Sequence, residues 1–104
     1  MSIISHTPEG TTNLNIKIDG KFDFSQHKNF RMTYKDLNPT PTLVTIDMRG
    51  TSHIDSSALG MLLLLRDHIG DHAKLKIINV SDYVKQILNV ANFKDMFEIH
   101  GENT

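Results

Sequence analysis

Cysteine is absent from this sequence, and so are long apolar runs and any large excess of one charge. Without cysteine, disulfide scaffolds, thiol catalysis and cysteine-ligated metal sites are excluded. The longest uninterrupted apolar stretch, Met61–Leu65, is too short to cross a bilayer. Eleven Lys and Arg residues are balanced by 12 Asp and Glu residues. This near-neutrality argues against a nucleic-acid partner, which would call for a basic face, and against a polybasic membrane anchor.

The 104 residues have room for one hydrophobic core, so we expect a single domain over residues 1–104. A basic start followed by a long apolar run, the pattern of a secretory signal, is missing. These features predict a small soluble protein of the reducing cytoplasm that does not insert into membranes.

Apolar residues recur with a period of two in some segments and of about 3.6 in others. Strands are predicted around residues 3–4, 14–18, 43–46, 75–78 and 97–99. One helix is predicted to begin at the N-cap Ser25 and to end near the prolines at 39 and 41. A second is predicted from Asp55 to Gly70, and a third after the N-cap Ser81. Residues 19–20 are predicted to form a turn, and residues 49–52 a loop.

Strands that alternate with helices are typical of right-handed crossovers over a mainly parallel sheet. The length is short for a sheet covered on both faces. We therefore predict an α/β fold with a small, mixed, mostly parallel β-sheet. It begins with an N-terminal antiparallel hairpin, and about three to four helices cover chiefly one face.

The most informative segment begins before the second helix, where Asp55, Ser56 and Ser57 precede a run of leucines. Ser56 is predicted to be the N-cap, a role worth about 1 kcal/mol. The helix carries more apolar surface than one core-facing stripe requires. Its far side presents Ser57, Met61, Leu64 and His68 at helical spacing. This stripe is either a surface that binds a partner or one that another element of the chain covers; the exposure of Met61 and Leu64 decides between them.

Histidines do not make a convincing metal site here. His68 and His72 are four residues apart, but Gly70 interrupts the helix between them and no H-E-x-x-H pattern is present. His53, Asp55 and Ser56 are the residue types of a nucleophilic triad, yet the G-x-S-x-G elbow is missing. We therefore expect no metal, no cofactor and no catalysis.

Residues 54–60, Ile-Asp-Ser-Ser-Ala-Leu-Gly, resemble the D-S-S/T-G-L-G signature of STAS domains, the sulfate transporter and anti-sigma-factor antagonist family. The single-domain bacterial anti-anti-sigma factors are the most similar group. Residues 20–23 resemble the family's G-E-L-D, and residues 44–48 and 80–85 resemble two further family segments. Ala58 stands where many members have glycine. Asn92 replaces a glycine in a later turn, where asparagine can still adopt the left-handed conformation.

The resemblance implies a STAS fold and a phosphorylation switch in which Ser56 is the phosphoacceptor. Asp23, Asp55 and Ser57 are expected to support phosphorylation or partner recognition, although Asp23 is equally well explained as a cap of the helix at Ser25. The implied partners are an anti-sigma factor that is also a serine kinase with a histidine-kinase-like ATPase fold, and a PPM-type serine phosphatase. The unphosphorylated protein, a monomer when free, would bind the anti-sigma factor and release the sigma factor.

Two other functions stay open on the sequence alone. Small STAS domains also occur as unphosphorylated accessory subunits of lipid-transport ATPases, where Ser56 would be only a helix cap. Alternatively, the switch is retained but controls biofilm formation or secretion rather than a sigma factor. The sequence does not separate these outputs, because the output is a property of the partner.

Overall fold

The computed structural model describes residues 2–102, which contain six β-strands and three α-helices. The strands are β1 (Ser2–His6), β2 (Asn13–Phe22), β3 (Leu43–Asp47), β4 (Thr51–Ile54), β5 (Lys74–Val80) and β6 (Glu98–Gly101). The α-helices are α1 (His27–Met32), α2 (Ser56–Ile69) and α3 (Asp82–Val90). Two three-residue 3-10 helices, Phe24–Gln26 and Phe93–Asp95, precede α1 and follow α3.

The strands form one mixed sheet in the order β1-β2-β3-β5-β6, and β4 also pairs with β2. Only β1 and β2 are antiparallel among the described strand pairs; the other pairs are parallel. The predicted class is therefore confirmed: a mostly parallel sheet that begins with an antiparallel hairpin.

Alternation along the strands decides which face of the sheet is covered. In β2, Leu14, Ile16 and Ile18 are buried, whereas Asn15 and Lys17 between them are exposed. Side chains of successive strand residues point to opposite faces, so the helices cover the face that carries the aliphatic residues. This confirms that the helices lie chiefly on one face.

Strand β2 is longer than predicted because it changes partner along its length. Its first half pairs with β3, and its last residues, Gly20–Phe22, pair with β4. The predicted turn at residues 19–20 is therefore wrong. Gly20 has a positive φ of 89°, and the register shifts between Gly20 and Lys21, so an irregularity inside the strand replaces the turn.

The loop predicted at residues 49–52 is shorter in the structure, because β4 begins at Thr51. The Thr51 amide donates to the Met48 carbonyl at 3.0 Å, which closes a tight turn after β3. The Thr51 hydroxyl is buried and donates to the Ile18 carbonyl at 2.8 Å. Within β4 the two buried residues, Thr51 and Ile54, lie three positions apart. The period-two pattern that identifies a strand is consequently missing from the sequence.

The first helix is shorter than predicted and has a different start. Ser25 is not its N-cap: it lies within the 3-10 helix, and α1 begins at His27. The helix ends at Met32, where the Thr33 hydroxyl donates to the Phe30 carbonyl at 2.7 Å and a turn begins.

The other two helices agree with prediction at the ends that the sequence marks. Helix α2 ends before Gly70, whose φ is 89°. Ser81 caps α3 by accepting from the Val84 amide at 3.2 Å. Both ends have the residue types that favour them, a glycine after the last turn and a serine before the first.

Candidate functional site

The candidate site lies where two parallel strands end side by side. Phe22, the last residue of β2, is in register with Ile54, the last residue of β4. Neighbouring strands lie about 4.8 Å apart. Asp23 and Asp55 each come directly after one of these paired residues, so the two segments predicted to form the site leave the same edge of the sheet as neighbours.

Asp55 is the residue that begins helix α2. Its backbone is extended, with φ −132° and ψ −174°, and its carbonyl accepts from the Leu59 amide at 3.2 Å. Its carboxylate oxygen Oδ1 accepts from the Ala58 amide at 3.0 Å and from the Ser57 hydroxyl at 2.6 Å. These are the bonds of an N-cap. The prediction that Ser56 is the cap is therefore wrong, since Asp55 already occupies that position and Ser56 is the first helical residue.

Ser56 and Ser57 consequently differ in what their hydroxyl groups do. The Ser57 hydroxyl is engaged by Asp55 and is only partly exposed. The Ser56 side chain is exposed, and within residues 2–102 its hydroxyl makes no hydrogen bond. Of the two adjacent hydroxyls, the one on Ser56 is accessible to a reagent from solution.

The Asp55 carboxyl is held in its ionised form. The hydrogen bond from the Ser57 hydroxyl, followed by that from the Ala58 amide, lowers the pKa of Asp55 below its ordinary value of 3.8, and the neighbouring His53 lowers it slightly further. Donors that favour the charged carboxylate thus outweigh the small effect of burial. At neutral pH the turn formed by residues 55–57 contains a fixed negative charge beside Ser56.

Asp23 forms a turn of the same design on the neighbouring strand. Its Oδ1 accepts from the Ser25 amide at 3.0 Å and from the Ser25 hydroxyl at 2.5 Å, and it caps the 3-10 helix. In both turns an aspartate binds the serine two residues later. The residue between them, Phe24 in one turn and Ser56 in the other, is exposed. Phe24 is 68% exposed, which is unusual for so large an apolar side chain.

His53 connects the strand that precedes the Asp55 turn to helix α3. The hydroxyl of Tyr83 lies 3.5 Å from Nδ1 of His53, close to the limit of a hydrogen bond. His53 is in β4, two residues before Asp55, and Tyr83 is in the first turn of α3. His53 and Ser56 do not form a triad with Asp55, because Asp55 binds Ser57 and the Ala58 amide.

The predicted partner stripe on α2 is partly buried and partly exposed in the structure. Met61 is only 3% exposed and belongs to the core, so its assignment to a partner surface is wrong. The reason is that α1 packs against this side of α2: Tyr34, just after α1, makes an edge contact with His68 at 5.2 Å between ring centroids. Leu64 is 52% exposed and His68 is also exposed, so these two remain available to a partner.

Two grooves flank α2, and the sequence predicts neither of them. The α1–α2 groove has a volume of about 260 Å³ and is lined by His27, Arg31, Tyr34, Leu64 and His68. The α2–α3 groove has a volume of about 450 Å³ and is lined by Leu59, Tyr83, Gln86, Ile87, Val90 and Ala91.

Phe24 is a further site residue that sequence reasoning misses. The repeated Asp-x-Ser spacing at residues 23–25 and 55–57 is the signal that identifies it, because the same short motif comes after two strands of the sheet.

Among residues 2–102, no three His, Asp or Glu side chains are grouped as a metal site would require. Over the same residues, no helix has both the length and the apolar composition needed to span a bilayer.

Comparisons with known proteins identify the family. A family model for the STAS domain matches residues 3–103. A STAS-domain containing protein of Pseudomonas aeruginosa is 46% identical over 87 residues, which are 83% of this chain and 86% of that protein.

Two solved structures share the fold. A sulfate transporter family protein from Wolinella succinogenes superposes with a TM-score of 0.78 at 19% identity, covering 94% of this chain and 82% of that one. The anti-sigma factor antagonist SpoIIAA in its unphosphorylated form gives a TM-score of 0.73 at 14% identity, covering 99% and 90%. With the family model and the relative from Pseudomonas matching most of its length, the chain belongs to the STAS-domain family.

Proposed function

We propose that this protein is an anti-sigma factor antagonist of the partner-switching type and that its switch is phosphorylation of Ser56. The unphosphorylated protein binds a partner that is both an anti-sigma factor and a serine kinase. In the reaction, the Ser56 oxygen forms a bond to the γ-phosphorus of ATP as the bond to ADP breaks, and the kinase takes the hydroxyl proton. The chain is thus a substrate of the enzyme and contributes no catalytic group.

The observation that carries this proposal is the contrast between the two adjacent serines. Asp55 binds the Ser57 hydroxyl at 2.6 Å, which uses that group to hold the start of α2. The Ser56 hydroxyl is exposed and has no hydrogen-bond partner among the described residues. A kinase can therefore reach Ser56 without breaking the helix cap. Phosphorylation of Ser57 would first have to break its hydrogen bond to Asp55, an interaction worth about 0.5–1.5 kcal/mol.

Electrostatics supports a switch that acts without refolding. A phosphate adds about −1.5 to −2 charge, whereas the whole chain carries −1. An anion at a helix N-terminus is favoured by about 0.3–1 kcal/mol. The ionised Asp55 carboxylate opposes it by a similar order through like-charge repulsion. These contributions nearly cancel, so we expect the fold of the free protein to be unchanged.

Phosphorylation is then expected to change the affinity of the complex with the partner rather than the fold of the free protein. A dianion on the exposed face of the turn has to be desolvated when a partner covers it, and an unmatched buried ion costs several kcal/mol. Each 1.4 kcal/mol is about tenfold in affinity. Blocked binding at a surface that is already formed is therefore sufficient to release the partner.

Asp23 and Ser57 support this site indirectly. The carboxylate of Asp23 is occupied by Ser25, as that of Asp55 is by Ser57. Both aspartates therefore position the turns that the partner contacts. In this proposal a kinase with a histidine-kinase-like ATPase fold modifies Ser56 in the cytoplasm, a PPM-type phosphatase reverses the modification, and the free protein is a monomer. The output, a sigma factor or a biofilm or secretion pathway, is set by the partner.

The test is phosphorylation of the full chain by candidate serine kinases with this ATPase fold from the organism's own genome. The intact protein is incubated with ATP and each kinase, and bound phosphate is located by mass spectrometry. One phosphate is expected on the wild type and on Ser57→Ala, and none on Ser56→Ala.

Phosphate on Ser57 alone would contradict the choice of acceptor. Copurification with a lipid-transport ATPase, together with no modification by any kinase, would instead support an accessory-subunit role. Circular dichroism of the two alanine variants serves as the control that both are folded.

A further inference from the structure

The α1–α2 groove is lined by basic, neutral and apolar side chains. Of its lining residues, Arg31 is cationic, and His27 and His68 have ring nitrogens that can donate hydrogen bonds to an anion. No acidic side chain lines it. Helix α1, whose sequence is His-Lys-Asn-Phe-Arg-Met, likewise contains no acidic residue. The groove is therefore a place where negative charge from outside would be favoured.

Tyr34, the remaining polar group in the groove, does not offset this charge. Burial raises the pKa of Tyr34, with the Arg31 charge acting in the opposite direction, so the phenol stays neutral. Asp67 and Asp36 are exposed near these elements but do not line the groove. The groups that face it are consequently cationic, neutral or apolar.

Exposed apolar side chains accompany this charge. Leu64 lines the groove and is 52% exposed. At the entrance, Phe24 stacks on His27 with ring centroids 5.3 Å apart and an interplanar angle of 21°. Phe24 belongs to the turn beside the Ser56 turn. Because the two turns follow strand residues that are in register, Phe22 and Ile54, Phe24 and Ser56 lie at the same edge of the sheet.

We propose that the α1–α2 groove and Phe24 bind an acidic, amphipathic segment of a protein partner. Apolar side chains of that segment contact Leu64 and Phe24, and its carboxylates face Arg31, His27 and His68. A groove of about 260 Å³ accommodates one or two side chains, so Phe24 and Leu64 are the anchors and the charges select the partner. This inference rests on the proposed function, because the segment belongs to the partner that reads Ser56.

The larger α2–α3 groove is the obvious rival. Its lining residues carry no charge at neutral pH, so it offers nothing that distinguishes one apolar partner from another. Of these two grooves, only the α1–α2 groove combines exposed apolar anchors with charge of one sign. The same experiment tests the α2–α3 groove as the alternative binding site.

The test places the photoreactive amino acid p-benzoylphenylalanine at Leu64 of the full chain, expressed in its native cells. A matched chain carries it at Val90, which lines the α2–α3 groove and is 79% exposed. After illumination, adducts are purified and the attached peptide is identified by mass spectrometry. We expect an adduct from position 64 to a peptide rich in Asp and Glu with an apolar face.

Charge dependence is the second measurement. Arg31→Glu should reduce the yield of the position-64 adduct by about tenfold or more, because like charges across an interface are strongly unfavourable. Lys85→Glu, the same charge change on exposed helix α3, should leave the yield within about twofold. Reversing the acidic residues of the captured segment to lysine should restore binding to Arg31→Glu. Thermal unfolding of each variant confirms that it is folded.

Four results would overturn the proposal: adducts from position 90 but not 64, no protein adduct from position 64, a captured segment without acidic residues, or an unchanged yield with Arg31→Glu. Ser56→Ala separates this proposal from the proposed function. If Ser56 is not a phosphoacceptor, the position-64 adduct and its charge dependence persist. If only the docking site is wrong, Arg31→Glu is phosphorylated on Ser56 at the wild-type rate.

Discussion

The two turns at the edge of the sheet have the same framework but present different side chains. In each, an aspartate at the end of a strand accepts a hydrogen bond from the hydroxyl of the serine two residues later, at 2.5 Å for Asp23 and 2.6 Å for Asp55. The residue between is Phe24 in the first turn and Ser56 in the second, and both are exposed. One framework therefore presents an exposed aromatic side chain in the first turn and an exposed hydroxyl in the second.

The helices that begin at the two turns also differ. Asp55 begins the 14-residue helix α2, whereas Asp23 begins a three-residue 3-10 helix and then the six-residue α1. The same cap therefore stabilises different amounts of structure. We therefore expect function at this edge to depend on the middle residue of each turn, and stability to depend on the element that follows the turn.

Placing a permanent charge at the middle position should have the largest effect. Ser56→Asp is expected to weaken partner binding by about 100-fold or more, because a buried, unmatched carboxylate costs several kcal/mol. The measurement is calorimetric titration with the kinase that modifies the wild type. Ser56→Asn is the matched control, since it has similar size and no charge, and should weaken binding far less.

The fold of Ser56→Asp should stay that of the wild type. Chemical-shift changes in an amide NMR spectrum should be confined to residues near the start of α2. Chemical-shift changes spread through the sheet would mean that the charge acts by refolding the protein rather than by blocking a preformed surface.

Removing the aspartates should separate their structural roles. Asp55→Ala is expected to lower the free energy of unfolding by about 0.5–2 kcal/mol, the usual value of an N-cap. Asp23→Ala likewise removes one amide and one hydroxyl hydrogen bond, both from Ser25, but at the start of a much shorter element, so its effect should be clearly smaller. Urea denaturation of both variants measures the difference, and equal losses would contradict the assignment of stability to the element behind each turn.

Removing one hydroxyl from each turn should have an intermediate to small effect. Ser57→Ala and Ser25→Ala each lose a hydrogen bond to the preceding aspartate, an interaction worth about 0.5–1.5 kcal/mol. Urea denaturation measures these losses as well. Neither change should prevent phosphorylation of Ser56. Loss of phosphorylation in a folded Ser57→Ala protein would show that Ser57 contributes chemistry as well as structure.

The smallest expected effect is on acid stability. Because the fold lowers the pKa of Asp55 below 3.8, its carboxylate contributes stability that is fully present above that value. This contribution is lost as the pH falls through the lowered pKa of the folded protein. As the pH is lowered through this range, Asp55→Asn should therefore lose stability less steeply than the wild type in urea titrations. Equal slopes would mean that the turn does not hold the charged form.

Much of the fold could be predicted because local patterns and tertiary packing agree. The alternation at Leu14, Ile16 and Ile18 identifies β2, and the cap at Ser81 identifies the start of α3. Strand β4 could not be predicted, because its buried residues are three positions apart and its pairing depends on a register shift in β2.

The candidate site could be predicted in part. The motif singles out Ser56, but whether Asp55 or Ser56 caps the helix depends on backbone angles that the sequence does not contain. Both residue types are good caps. The burial of Met61 could not be predicted either, because it depends on α1, which is distant in sequence and packs on α2 only in the folded chain.

Strand β2 pairs first with β3 and then with β4, and this change of neighbouring strand places the candidate site beyond the end of β3. Strand β3 ends at Asp47, in register with Lys17, whereas β4 ends at Ile54, in register with Phe22, five residues or about 16 Å further along β2. Of the described strand pairs, only β2 and β4 pair beyond Gly20. We therefore expect a partner that covers the two turns to contact the elements that flank them, α1 and α3, rather than the rest of the sheet.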